Sequence, residues 1–299
     1  SPVDFIETDS ELNAAIEKLS GGKGPFAIDA ERASGFKYSQ RAYLIQIARL
    51  GSGIFLIDPI AITQTSGLAP FNKLSELLAT QPWILHAASQ DLPCLAEIGL
   101  RPKLVMDTEL GGRLAGLERV GLGAMTERYL QVRLAKEHSA VDWSTRPLNQ
   151  EWLNYAALDV DVLFELWNKL ENDLISQSKF DWAMQEFEAI TGFVPKTPKP
   201  DRWRSLSGLH EVKNQRSLAV AKERWEARES LAIKLDLSPG RLIPDSSIVV
   251  VAKNTPKSRS QLASMRDFVG RASRNFLDVW WTAIETGLRT IDLPEVRVA

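Results

Sequence analysis

Apolar residues follow two different periods along the chain, and the period distinguishes strands from helices. Short apolar runs bounded by Gly, Pro or Asp predict strands, since a buried strand needs only about four to eight residues. These runs cover residues 26–30, 41–50, 54–58, 83–87 and 104–107. The Gly-Ser-Gly turn at residues 51–53 predicts a hairpin between the second and third runs.

Helical spacing, with apolar residues three or four apart, fills the gaps between these runs. It predicts helices at residues 10–19, 71–79, 91–98 and 122–130, and one long helix at 149–176. Strands mixed with helices in this order indicate a layered α/β domain, in which the hairpin makes the sheet mixed. Beyond residue 202 only helical patterns occur, at 209–234, 261–272 and 275–287, which predicts a small all-α domain.

A proline-rich stretch separates the two patterns. Residues 193–202 contain Pro195, Pro198 and Pro200, which remove amide donors and favour extended backbone. We therefore predict four segments: an α/β domain at 1–192, a linker at 193–202, a helical domain at 203–287 and an extended tail at 288–299.

The formal net charge of −2 hides an asymmetry between these parts. Residues 1–192 carry 17 Lys and Arg against 26 Asp and Glu, whereas residues 193–299 carry 19 against 12. An acidic part can hold cations, and a basic part can hold a polyanion such as nucleic acid. Chance and ordinary solvated surfaces are the alternative, and charge alone does not choose between the two.

The rest of the composition excludes several classes of protein. Cys94 is the single cysteine, so an intramolecular disulfide and the Cys-rich zinc sites are excluded, and a cytoplasmic location is expected. No apolar run approaches the roughly 18 residues of a membrane span, so no membrane association is expected. No G-x-x-x-x-G-K-[ST] motif is present, which argues against an ATPase or kinase.

No heptad pattern is evident, and we expect a monomer.

Four carboxylates and a tyrosine are the candidate catalytic residues. Asp29 and Glu31 are two apart at the end of a predicted strand and so face the same side. Asp91 starts a predicted helix, and Tyr155 and Asp159 are four apart on one helix face. Taken singly, each fits an ordinary strand end, helix N-terminus or polar helix face.

Taken together, these residues point to metal-dependent chemistry. Four converging carboxylates repel one another and resist ionisation unless cations are bound. Oxygen ligands favour Mg²⁺ or Mn²⁺ over zinc. Two such ions about 3.5–4 Å apart form a clamp for phosphoryl displacement. A tyrosine hydroxyl in the same volume can orient the attacking water.

The motifs Asp29-Ala-Glu31, His86-x₄-Asp91 and Tyr155-x₃-Asp159 resemble those of the DEDDy 3′–5′ exonucleases, and within them the ribonuclease D family. Residues 43–47, 56–59 and 142–148 extend the resemblance, which covers about 3–190. It implies a ribonuclease H-like fold and release of nucleoside 5′-monophosphates from the 3′ end of RNA. It also implies that Asp29, Glu31, Asp91 and Asp159 hold two divalent ions, with Asp29 bridging both, and that Tyr155 positions the water.

The helical part resembles an HRDC domain, through residues 203–208, 212–234 and 239–245, and the resemblance implies nucleic-acid binding. Its basic side chains, with those of the linker, are candidates for phosphate contacts that give affinity without sequence specificity. These candidates are Lys196, Lys199, Arg202, Arg204, Lys213, Arg216, Lys253, Lys257 and Arg259.

Three further residues are candidates for substrate contacts near the carboxylates. Arg32 stands where the family usually has an apolar residue, Gln90 precedes Asp91, and His138 lies in the loop before the last catalytic helix. An ordinary surface role is the alternative for each of them.

The favoured function is therefore a metal-dependent exoribonuclease that trims tRNA precursors or other small structured RNAs with a single-stranded 3′ tail. The alternatives are a 3′–5′ exodeoxyribonuclease and a non-catalytic RNA-binding protein that keeps the fold. The choice of RNA over DNA rests on the family resemblance. The physiological RNA and the choice between Mg²⁺ and Mn²⁺ stay open.

Overall fold

A computed structural model describes residues 2–135, 138–268 and 270–297. The chain forms two compact units, one of Ser1–Ala33 with Gln40–Pro195 and one of Ser34–Ser39 with Lys196–Ala299. The boundary between Pro195 and Lys196 falls inside the predicted linker at residues 193–202. Among the helices of these ranges, none has the length and apolar character needed to cross a bilayer.

A six-stranded mixed sheet forms the centre of the first unit, in the order β1-β4-β3-β2-β5-β6. β2, β3 and β4 pair antiparallel, whereas β1 on β4, β5 on β2 and β6 on β5 are parallel. The mixed sheet and its hairpin are as predicted; β1 was not predicted. The strands are β1 (Val3–Ile6), β2 (Lys23–Glu31), β3 (Leu44–Leu50), β4 (Gly53–Ile57), β5 (Trp83–Leu85) and β6 (Val105–Asp107).

The described helices of this unit follow β1, β4, β5 and β6 along the chain. They are α1 (Asp9–Ser20), α2 (Pro59–Ser66), α3 (Phe71–Leu78), α4 (Ala88–Glu97), α5 (Thr108–Leu114), α6 (Leu122–Leu130), α7 (Gln150–Asp161), α8 (Leu163–Ser176) and α9 (Phe180–Thr191). The prediction of one long helix at 149–176 is wrong, because α7 ends before Val162 and α8 begins after it. The sequence patterns also missed α2 and α9.

The core of the first unit packs helices against the sheet. Phe26 and Ile28 of β2 are buried with Trp83 and Leu85 of β5. These central strands are apolar on both faces, as expected for strands covered on both sides. The two carboxylates of β2, Asp29 and Glu31, therefore lie at the end of that strand.

The second unit is helical: α10 (Gln215–Leu235), α11 (Pro239–Leu242), α12 (Asp245–Lys253), α13 (Arg259–Ser264), α14 (Arg271–Asn275) and α15 (Leu277–Arg289). Two 3₁₀ turns, Arg202–Ser205 and Leu209–Glu211, precede them. The prediction that residues 209–234 form one helix is thus wrong at its start. The predicted helix at 261–272 is also wrong, since α13 ends at Ser264; its residue 269 lies outside the described residues, as do 298–299 of the predicted tail.

Residues 34–39 belong to this helical unit, which the sequence patterns did not indicate. The Phe36 carbonyl accepts from the backbone N–H of Ser238 at 3.1 Å, and the Phe36 ring lies under the Arg241 guanidinium, 4.2 Å from its centroid. Tyr38 Oη donates to Glu229 Oε2 at 2.7 Å. These contacts join residues 191 to 205 positions apart, and local sequence patterns do not encode them.

Candidate active site

Asp29 and Glu31 lie at the end of β2, next to the hairpin strand β3. Asp29 is in register with Gln46 and Glu31 with Leu44. The two-residue period of the strand puts both carboxylates on the same side, as predicted. Glu31 is buried and Asp29 is partly exposed.

Asp91 reaches the site from the first turn of α4. Ala87, which precedes this helix, has a left-handed backbone with φ of 60°. Asp107 holds this turn, since its Oδ1 and Oδ2 accept from the N–H groups of Ala87 and Ala88, each at 3.0 Å. Asp107 also caps α5, since its Oδ1 accepts from the N–H groups of Glu109 and Leu110.

Tyr155 and Asp159 lie one turn apart on α7. Asn149 starts this helix by accepting from the N–H of Glu151 at 2.7 Å. Asp159 is buried, whereas Asp161, two residues further along, is exposed. The helix therefore directs Asp159 inward with Ala156 and Val160, and Asp161 away from them.

The carboxylates converge. Asp29, Glu31 and Asp159 each offer an oxygen, and these oxygens all lie within 4.8 Å of one another. Asp91 joins them through a side-chain hydrogen bond with Asp29. Three separate elements, β2, α4 and α7, thus bring four carboxyl groups into one small buried volume.

Burial and mutual repulsion make these groups hard to ionise without a cation. Burial raises the pKa of Asp29 from 3.8 to about 6. The pKa of Glu31 is raised well above its usual value, first by burial and then by the charges of Asp29 and Asp159. The pKa of Asp91 is also raised well above its usual value, by burial and by Asp29. Buried carboxylates in this state are stabilised by bound cations.

Gln46 is a site residue that the sequence analysis missed. Its side chain is fully buried, and Nε2 donates to Glu31 Oε1 at 3.1 Å and lies 3.4 Å from Asp29 Oδ2. Nε2 also lies 3.4 Å from the Ala156 carbonyl on α7. Gln46 thus connects β2 and α7 at the carboxylate cluster. The available signal was a polar residue inside the apolar run Leu44–Leu50, directly across from Asp29.

The donor set fits hard divalent cations. It consists of carboxylate oxygens from Asp29, Glu31 and Asp159, with Asp91 hydrogen-bonded to the group. Oxygen-only sets of this kind suit Mg²⁺ and Mn²⁺. The nearby Cys94 is a poor ligand, because burial raises the pKa of its thiol to about 12.

A cavity of about 380 Å³ adjoins Tyr155 and Asp159, and Leu134, His138 and Leu158 contribute to its walls. The His138 ring meets the Tyr155 ring edge-on, with centroids 5.5 Å apart. The structure therefore brings His138, one of the predicted substrate contacts, next to the predicted water-positioning tyrosine.

Arg32 and Gln90 lie close to the carboxylates, but Arg32 has a buried Nε whereas Gln90 is exposed. The Arg32 charge lowers the pKa values of both Asp29 and Asp91, although burial outweighs it at each. Arg32 Nε is buried and has no hydrogen-bond partner within the described residues. Gln90 is exposed in the first turn of α4, beside Asp91.

The basic candidates of the linker and the second unit differ in what they contact. Four of them interact with groups of the unit itself: Arg202 with Glu229 and the Trp225 ring, Arg216 with the carbonyls of Gly287 and Thr290, Lys253 with Glu211, and Arg259 with Asp278. Among the others, Lys196, Lys199, Lys213 and Lys257 are exposed and form no salt bridge within the described ranges.

Comparison with known proteins places both units in families. The 3′–5′ exonuclease family model matches residues 3–175, and the HRDC domain model matches residues 217–284. Ribonuclease D of Zymomonas mobilis is 30% identical over 274 residues, which cover 90% of this chain and 68% of that protein. Ribonuclease D of Shewanella sp. is 27% identical over 275 residues, covering 90% and 69%.

Solved structures agree with these matches. A crystal structure of a protein from Bifidobacterium adolescentis superposes with a TM-score of 0.90 at 36% identity, covering 98% of this chain and 76% of that one. The crystal structure of Escherichia coli RNase D, described as an exoribonuclease involved in structured RNA processing, gives 0.78 at 25% identity, covering 100% and 79%.

The chain is thus a 3′–5′ exonuclease with a ribonuclease H-like fold, followed by an HRDC domain. More narrowly, it belongs to the ribonuclease D family of metal-dependent 3′–5′ exoribonucleases. It spans about two thirds of the length of the ribonuclease D relatives that it matches.

Proposed function

We propose that Asp29, Glu31, Asp91 and Asp159 hold two divalent ions, Mg²⁺ or Mn²⁺, with Asp29 contacting both. The observation that carries this proposal is the convergence of oxygens from Asp29, Glu31 and Asp159 in one cluster that Asp91 joins through Asp29. Burial raises the pKa values of Asp29, Glu31 and Asp91 there. When bound, such ions activate water and stabilise a leaving oxygen. The cluster also argues against a non-catalytic binder, which has no need for four mutually repelling carboxylates.

The chain's own residues then orient the reactants. Tyr155 lies one helical turn from Asp159, so its hydroxyl is suited to orienting a water toward the terminal phosphodiester. The water oxygen forms a new bond to phosphorus, and the bond from phosphorus to the 3′ oxygen of the preceding nucleotide breaks. The departing 3′ oxygen takes up a proton, so the products are a nucleoside 5′-monophosphate and a shortened RNA that ends in a 3′ hydroxyl.

Three neighbouring residues are proposed to contact the 3′ end of the substrate. Arg32 lies beside Asp29 and Asp91, and its buried Nε has no hydrogen-bond partner among the described residues, which suits it to a phosphate oxygen. His138 lines the cavity next to Tyr155, where its ring can pack against a base. Gln90 is exposed at the same helix N-terminus as Asp91.

The substrate is proposed to be a tRNA precursor or another small structured RNA with a single-stranded 3′ tail, and the enzyme is proposed to act as a monomer. The E. coli neighbour, described as acting in structured RNA processing, supports this substrate class. The basic excess after residue 192 supports a polyanionic partner.

The test is digestion of a 5′-labelled RNA hairpin with a single-stranded 3′ tail, compared with a DNA hairpin of the same sequence. We expect the RNA to shorten one nucleotide at a time with Mg²⁺ or Mn²⁺, and EDTA to stop the reaction. Asp159→Asn should abolish the ladder, whereas Asp161→Asn, the same change on the exposed side of α7, should not. Equal loss in both variants, or faster digestion of DNA, would contradict the proposal.

A further inference from the structure

A second cavity, of about 620 Å³, lies within the helical unit. It is formed by the two 3₁₀ turns, the segment leading into α10 and the C-terminal tail, and four basic side chains line it: Arg204, His210, Lys213 and Arg297. Its volume is in the range of known small-ligand sites, about 300–1,000 Å³. It belongs to the second unit and uses none of the proposed catalytic residues.

The positive charges around this cavity are not neutralised by salt bridges. Within the described part of the chain, none of the four basic side chains forms one. The acidic neighbour Glu211 is bound instead by Lys253, with Nζ and Oε2 2.7 Å apart. The hydrogen bond from Lys253 is also the main cause of the lowered pKa of Glu211, with smaller contributions from His210 and Lys213.

Arg204 supplies a second, independent feature. Its guanidinium packs over the Trp203 ring at 4.4 Å from the centroid, which orients the side chain. Its Nε is buried and has no hydrogen-bond partner among the described residues. A buried donor left unpaired is unfavourable, and an anionic oxygen in the cavity would satisfy it.

The floor of the cavity is apolar, since Leu206, Val212 and Leu218 are buried side chains that line it. Cations above an apolar floor suit a ligand that has both negative charge and a flat apolar face. A nucleotide of single-stranded RNA has this combination, because its phosphates are anionic and its base can lie on apolar or aromatic side chains.

We propose that this cavity binds a single-stranded segment of the RNA substrate through its backbone phosphates, as a binding site separate from the carboxylate cluster. The proposal rests on the proposed function in taking RNA as the ligand. Part of the basic excess of the second unit then lies at this cavity. Arg204, Lys213 and Arg297 contact the phosphates, and His210 lies at the rim.

The test measures binding, so that its outcome does not depend on hydrolysis. A fluorescent 20-nucleotide single-stranded RNA is titrated with protein carrying Asp159→Asn to prevent digestion, at several salt concentrations. The double variant Lys213→Gln/Arg297→Gln removes two exposed charges from the cavity. The control Lys234→Gln/Arg271→Gln removes two exposed charges from elsewhere in the same unit.

We expect the cavity variant, Lys213→Gln/Arg297→Gln, to bind the RNA about five- to tenfold more weakly than the parent protein, which carries Asp159→Asn alone. The slope of log affinity against log salt should fall by about 1.4 in magnitude, or about 0.7 for each lost phosphate contact. The control should bind like the parent protein. Both variants should keep the parent melting temperature, because the changed side chains are on the surface.

Equal affinity and slope in the cavity variant and the control would overturn the proposal. If the wild-type enzyme digests no RNA while this binding difference is found, the proposed function fails and the assignment of the cavity stands.

Discussion

The carboxylate cluster should destabilise the metal-free protein, and Asp29→Asn tests this directly. Burial raises the pKa of Asp29 from 3.8 to about 6, so the folded protein holds this proton more tightly than the unfolded chain does. The stabilisation due to this proton is complete below pH 4 and is lost as the pH rises through about 6. Asp29→Asn puts a neutral amide in place of the carboxylate. At neutral pH the variant should therefore be more stable to unfolding than the metal-free wild type.

The size of the expected stabilisation follows from the pKa shift of Asp29. A rise from 3.8 to about 6 corresponds to about 3 kcal/mol at neutral pH, at 1.36 kcal/mol per unit. Because the side chain of Asp29 is partly exposed, solvent screening lowers the expected gain in the free energy of unfolding to about 1–2 kcal/mol. That gain raises the melting temperature of the first unit by about 2–8 °C.

The assay is thermal unfolding of wild type and Asp29→Asn in EDTA, from pH 4 to pH 8. Asp161→Asn, an exposed carboxylate on α7, is the matched control. We expect the stabilisation by Asp29→Asn to grow between pH 4 and pH 7, and excess Mg²⁺ to stabilise wild type more than the variant. If Asp29→Asn is less stable than wild type in EDTA at pH 7, or equally stable at every pH, the electrostatic reasoning is wrong.

Three other substitutions test how the site and the helical unit are built. Gln46→Leu removes the donor shared by Glu31 and Asp29 and should lower metal affinity or activity about 10–100-fold, read from the Mn²⁺ dependence of the rate. Asp107→Asn places an amide donor against a backbone N–H at the start of α4 or α5 and should lower stability by about 1–3 kcal/mol in urea unfolding. Gly287→Ala puts a methyl group 2.6 Å from the Val220 Cα, so it should destabilise the helical unit by about 1–3 kcal/mol in the same assay. Gly240→Ala, whose added methyl group meets open space, is its control and should be near neutral.

Local periodicity accounts for what the sequence could predict. Asp29 with Glu31 on a strand, and Tyr155 with Asp159 on a helix, share a side because of the strand and helix repeats alone. That Asp91 joins them required the family resemblance, since nothing local relates a residue on α4 to β2. The structure brings the three elements together as that resemblance implied.

The features that were missed have physical reasons. Gln46 lies in an apolar run, and its role depends on the register with Asp29, which only the folded sheet defines. The break between α7 and α8 at Val162 has neither Gly nor Pro to mark it. Residues 34–39 follow the catalytic strand in sequence and yet pack with the helical unit, through contacts such as that of Tyr38 with Glu229.

The first product that the enzyme releases distinguishes a metal-dependent 3′–5′ exonuclease from other nucleases most directly. RNA labelled at its 3′-terminal nucleotide is incubated with wild-type protein and Mg²⁺ or Mn²⁺, and the earliest labelled product is identified by chromatography. We predict a labelled nucleoside 5′-monophosphate, formed without a lag and absent in EDTA or with Tyr155→Phe at early times. A labelled oligonucleotide, a nucleoside 3′-phosphate, or the same product in EDTA would contradict a metal-dependent 3′–5′ exonuclease at this site.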